Sequence, residues 1–177
     1  MKNKKTNFIY KSCILIYLIS LVYAFYLNWG GKYFSMTIVA CLTPFIMPLL
    51  MKLLKIEVPQ EFYIINIIFV YFASLWGSCL GGYHLPYFDK FTHFFSGIIF
   101  CEIAYIFYKH FLPNEKRKFL MFIFINALNA MIALFWEFYE YTFDGLLGLN
   151  MQKFALEDGT QLAGRAALQD TMKDLFV

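Results

Sequence analysis

The chain predicts an all-α fold, a polytopic transmembrane helix bundle with five complete spans and the start of a sixth, and three observations carry that reading. Of 177 residues, 60% are hydrophobic, 21% aromatic and only 15% charged, whereas a soluble domain carries about 25% charge. The apolar residues gather into five runs of roughly 18 to 25 residues, enough at about 1.5 Å per residue to cross a hydrocarbon core of about 30 Å with modest end effects. Charges fall mostly between the runs. The net charge of +3 is dispersed in short basic clusters, which excludes the continuous stripe that binds nucleic acid. Cys13, Cys41, Cys79 and Cys101 lie inside or near the ends of apolar runs. They form no CxxC pair and no zinc spacing, and read as packing residues.

The first run covers 12–29, behind Lys2, Lys4, Lys5 and Lys11. A basic start and Val22-Tyr23-Ala24 would suit a signal peptide, but aromatic residues continue through that point, so the run reads as an uncleaved first helix. A turn at Asn28-Trp29-Gly30-Gly31-Lys32 leads to a second span over 34–54, where Pro44 and Pro48 are expected to act as packing kinks. Val58-Pro59-Gln60, flanked by Lys52, Lys55, Glu57 and Glu61, makes a short polar connection. The third span covers 62–80, and a Gly/Pro-bounded loop with interfacial aromatic residues leads to the fourth at 91–111. The most basic connection, Leu112 to Lys118, precedes a fifth span over 119–143. An outer loop over 144–169 and a segment over 170–177 close the chain. That segment would extend only about 12 Å as helix, and reads as a sixth span cut short or a short amphipathic end on the surface. A single integral membrane domain over 1–177 is expected.

Five crossings sort the basic residues by side. Lys2, Lys4, Lys5, Lys11, Lys52, Lys55, Lys109, Lys116, Arg117 and Lys118 fall on one side; Lys32, Lys90, Lys153, Arg165 and Lys173 fall on the other. Ten against five predicts a cytoplasmic N-terminus. The same topology brings distant acids to the outer face: Asp89 and His93 open span four, Glu137, Glu140 and Asp144 close span five, and Asp170 and Asp174 open the last segment.

Helical spacing gives these residues their chemistry. Asp89 and His93 are i, i+4, Glu137 and Glu140 are i, i+3, and Asp170 and Asp174 are i, i+4, so each pair shares a helix face. Asp89 and Asp170 taken alone read as N-caps. Asn126, Asn129, Glu137, Glu140 and Asp144 form a polar stripe along span five. Glu102 lies on roughly the opposite face of span four from His93, at the depth of Asn126 and Asn129, and is expected to pair with those amides.

Asp89-Lys90-x-x-His93-Phe94 with Gly97, Trp136-Glu137-x-x-Glu140 with Tyr141, and Asp170-Thr171-x-x-Asp174 resemble, in order, the three motifs of the YjdF-like bacterial inner-membrane proteins. The motifs cover the chain from about Asp89 onward, and the span pattern covers the rest. The resemblance implies a multi-pass fold in the bacterial cytoplasmic membrane and no particular reaction. Where that pattern has Gly-Thr-Gln-Gly-Asp before its last motif, this chain has Gly159-Thr160-Gln161 followed by Leu162-Ala163-Gly164-Arg165. More distantly, the Asp-Lys-x-x-His-Phe opening is similar to that of VanZ-like membrane proteins, which are linked to glycopeptide resistance.

Carboxylates with one imidazole suit a hard or borderline divalent metal ion such as Mg²⁺, Mn²⁺ or Zn²⁺. The expected site is therefore His93, Glu137, Glu140, Asp170 and Asp174, as ligands or acid/base groups, serving hydrolysis or transfer on a lipid-linked or envelope substrate. The alternative is a non-enzymatic membrane component, such as a small-solute or ion permease with a path through Glu102, Asn126 and Asn129, or an envelope accessory protein. The expected partners are the lipid bilayer and such a small molecule, and no nucleic acid.

Overall fold

A computed structural model of the chain describes residues 4–31, 33–156 and 159–176. Lys2 and Lys32 of the charge tally and Val177 of the last segment lie outside the described residues. The fold is all-α: α1 spans Lys4–Asn28, α2 Phe34–Leu53, α3 Gln60–Cys79, α4 Phe88–Phe111, α5 Lys118–Leu147 and α6 Gln169–Phe176. The first five are long and apolar enough to cross a membrane. Several helices outrun the apolar runs that seed them. α1 starts at Lys4 and α5 continues to Leu147, because a helix that has crossed the hydrocarbon keeps its backbone bonds through the headgroup region, where charge is tolerated.

Internal contacts divide the chain into two units, Met1–Thr92 and His93–Val177, each described by itself. In the first, Tyr17, Leu21 and Ala24 recur at helical spacing on α1 and are buried against Ala40 of α2 and Ile67, Leu75 and Cys79 of α3. Ala24 and Ala40 are fully buried; small side chains let helices approach where no hydrophobic effect drives them together.

The prolines inside α2 leave a carbonyl whose partner can be named. Pro44 has no N–H, so the carbonyl four residues earlier, Ala40, loses its helical donor. The Tyr17 hydroxyl donates to that carbonyl across the helix interface at 2.6 Å, and Thr43 Oγ1 donates from within α2 at 3.2 Å. α3 is α-helical to Val70 and continues in wider π turns over Tyr71–Cys79. There Asn28 donates from α1 to the Cys79 carbonyl at 3.0 Å. Gly77 is required at this end, since a Cβ would lie 2.7 Å from the Tyr83 ring and 2.8 Å from the Phe72 carbonyl.

In the second unit, Ile99, Ile103, Ala104 and Tyr108 form the buried side of α4. Tyr108 meets Phe124 of α5 edge-on, ring centroids 5.5 Å apart, and Asn129 of α5 donates to Cys101 Sγ at 3.4 Å. Glu115 organises the tight connection, taking the Lys116 and Arg117 N–H groups at 2.9 Å and the Arg117 guanidinium at 2.6 Å. The Arg117 side chain, and then its backbone N–H, hold that carboxyl down at about 2. Among the described residues there is no strand beyond an isolated antiparallel bridge between Ala155 and Gln161 in the loop before α6.

The Tyr17–Ala40 bond supplies a stability test. Tyr17→Phe is expected to cost about 1–2 kcal/mol by leaving the Ala40 carbonyl short of a donor. In a Pro44→Ala background, where the backbone N–H is restored, that cost should shrink by about 1 kcal/mol. Unfolding equilibria of the four variants in bicelles measure this, and equal costs in both backgrounds would contradict it.

Candidate functional site

Three pieces of the second unit converge: α4 at His93, the last turns of α5, and α6. α5 carries Glu137, Glu140 and Asp144 on one side near its C-terminus, and all three are buried. Carboxylates near a helix C-terminus oppose the helix dipole, so their burial requires donors from elsewhere. The loop after α5 supplies them. Gly148, in the left-handed region at φ 64°, closes the helix with its N–H on the Asp144 carbonyl at 3.0 Å. The chain then doubles back so that the backbone N–H groups of Met151 and Gln152 donate to the Asp144 carboxylate at 2.8 and 3.0 Å.

That turn places the Gln152 amide, which donates to Glu137 Oε2 at 3.3 Å and to Thr171 Oγ1 of α6 at 3.0 Å. The Thr171 hydroxyl hydrogen-bonds Glu137 too, and the charges of Asp174 and His93 both lie close enough to act on it. His93 Nε2 is 3.6 Å from Asp174 Oδ2, with the two side chains 16% and 2% exposed. An imidazole and a carboxylate therefore meet where little water reaches.

Asp89 precedes His93 by one turn of α4. Within the second unit the group is thus the His93–Asp174 pair. Glu137, Glu140 and Asp170 are outside that pair. Glu137 is tied to Gln152 and Thr171 as described, Glu140 Oε1 accepts from Trp136 Nε1 one turn earlier at 2.8 Å, and Asp170 pairs with Lys153 Nζ at 3.2 Å.

Three readings from the sequence are corrected. Asp89 is not the N-cap of α4: the helix starts at Phe88, after Tyr87 at φ 63°, which puts Asp89 in the first turn. There its charge still favours the helix N-terminus. Asp170 likewise lies inside the first turn of α6, which starts at Gln169. Glu102 does not pair with the asparagine amides: its side chain is exposed, Asn126 donates back to the Phe122 carbonyl at 2.8 Å, and Asn129 bonds Cys101. An amide one turn from a carbonyl of its own helix satisfies itself locally, which removes the need for a distant acid.

The parts played by Gln152 and Lys153 are ones that sequence reasoning missed, because a lone polar residue in a loop gives no periodic signal; Thr171 entered only as a member of the third motif, with no role of its own. Asp89 did carry a periodic signal, its i, i+4 spacing to His93.

If Asp144 holds the loop over the site, Asp144→Ala should raise amide hydrogen exchange at Met151 and Gln152 at least about tenfold, since both lose a charge-assisted acceptor. Unchanged exchange at those two amides would contradict that role.

No curated protein and no solved structure matches the chain. A family model described as "Predicted membrane protein (DUF2238)" matches residues 9–177. With five helices able to cross a bilayer and a match over nearly its whole length, the chain belongs to the DUF2238 family of membrane proteins.

Proposed function

We propose that the chain is a multi-pass protein of the bacterial cytoplasmic membrane, N-terminus inside, that holds a divalent cation at its outer face for hydrolysis or transfer on a lipid-linked or envelope substrate. The observation that carries this reading is the His93–Asp174 approach at 3.6 Å with Asp174 2% exposed. A half-buried imidazole beside a buried carboxylate is a pair of donors suited to a borderline divalent ion. The excess of basic residues on the opposite side supports the orientation. The order of the three acidic motifs supports the finer placement among YjdF-like proteins, while the family match adds nothing for the VanZ-like comparison.

Within this reading a bound cation supplies Lewis acidity to water or to a substrate oxygen. Glu137, held by Gln152 and Thr171 beside the group, accepts the proton of the attacking water. The water oxygen bonds to the electrophilic centre of an ester, and the leaving group departs with the electron pair of the broken bond. Asp170 with Lys153, and Glu140 with Trp136, act as positioning residues around that centre. The permease reading has no observation of its own, because Asn126 satisfies itself on its helix and Glu102 lies on an exposed face.

Metal binding tests the proposal. Chelator-stripped protein in lipid nanodiscs, titrated with Zn²⁺, Mn²⁺ or Mg²⁺ by calorimetry, should take up about one ion per chain. His93→Ala and Asp174→Asn should each weaken binding at least about tenfold, the usual scale for losing a direct ligand. Glu137→Gln and Lys153→Ala should leave it within about threefold. Absent stoichiometric binding, or His93→Ala binding as wild type, would overturn it.

A further inference from the structure

The exposed face of α4 carries a second pattern, independent of the His93 group. Phe91, Phe95, Ile98, Glu102, Tyr105 and Lys109 follow one another at spacings of four, three, four, three and four, and all six are exposed. The residues buried on α4, Ile99, Ile103, Ala104 and Tyr108, lie on the other side of the helix. A 4-3 alternation is the seam that a left-handed helix pair interleaves. In this seam one member is an acid.

Glu102 stands 14 residues from the start of α4 and 9 from its end. At about 1.5 Å per residue that is within roughly 4 Å of mid-helix, deep in the hydrocarbon. Three other polar side chains on the spans bond their own helix: Ser12 donates to the Phe8 carbonyl, Asn126 to Phe122 and Thr142 to Phe138. A carboxylate has no proton to give its own carbonyls, and among the described residues Glu102 has no hydrogen-bond or ion-pair partner. Lipid offers it none.

We infer that α4 is a self-association seam, and that a second copy of this chain covers it with Glu102 meeting Glu102 across a two-fold axis along the membrane normal. Both copies insert with the same topology, so such an axis keeps every residue at its own depth and brings each seam residue to its twin. A carboxyl group in its acid form both donates and accepts, and is therefore its own complement. Two of them pair through reciprocal O–H···O=C bonds with no third group required. Ile98 and Tyr105 form the apolar layers on either side. Lys109, in the last turn of α4, reaches the headgroup region, with its ammonium 5.6 Å from the centre of the Tyr105 ring.

Site-directed crosslinking and dimer dissociation in liposomes test this. In the full chain with Cys13, Cys41, Cys79 and Cys101 replaced by alanine, Ile98→Cys and Tyr105→Cys should each give a disulfide-linked dimer on mild oxidation. Phe100→Cys and Ile106→Cys, off the seam, should give at least about tenfold less. In fluorescence-transfer titrations, Glu102→Leu should raise the dimer dissociation constant at least about tenfold, while Glu102→Gln, whose amide also pairs with itself, stays within about threefold. Equal crosslinking around the helix, a monomeric purified protein, capture of a different protein at these positions in native membranes, or an undiminished dimer in Glu102→Leu would each overturn the inference. Should Glu102→Leu fail to accumulate, the crosslinking pattern, which keeps Glu102, still decides.

Discussion

Hydrocarbon offers no hydrogen bond, and that absence dictates where every polar atom of the spanning helices can go. Each one must find its partner inside the protein, on its own helix or on a neighbour. The Ala40 carbonyl orphaned by Pro44 takes the Tyr17 hydroxyl from α1, and this ties the two helices together. Ser12, Asn126 and Thr142 turn back to carbonyls one turn earlier. Two exceptions stand out among the described residues of the second unit: Glu102, exposed near mid-helix, and the Tyr108 hydroxyl, which is buried without a partner. Such an orphan ordinarily costs about 1–3 kcal/mol.

The same constraint explains how three acids come to be buried at the end of α5. Near the headgroups the loop can fold back, and its N–H groups replace water around Asp144. That turn fixes Gln152, Gln152 bridges Glu137 to Thr171, and α6 is thereby set with Asp174 against His93. The order matters physically, because a backbone turn is rigid enough to position an amide, whereas a surface ion pair such as Lys153–Asp170 contributes little by itself.

The five spans were legible because length and hydropathy act over some twenty residues at once, and no local detail can override them. The topology places His93, Glu137 and Asp174 at neighbouring helix ends, and in the second unit His93 lies by Asp174. Helix starts were less so: Asp89 and Asp170 have the chemistry of caps, but the turn at Tyr87 and the approach through Leu168 start each helix a residue sooner. The face that Glu102 presents could not be read either. Its depth matches Asn126 and Asn129, yet depth says nothing about azimuth once the amides have closer acceptors.

The coordination of a bound ion is the most direct measure of the central claim. Pulsed electron paramagnetic resonance of Mn²⁺ bound to the protein, with histidine labelled by ¹⁵N, reports whether an imidazole nitrogen is bound to the metal. The account predicts a single coupled imidazole nitrogen that disappears in His93→Gln. A spectrum with oxygen ligands alone, or one unchanged in His93→Gln, would contradict it.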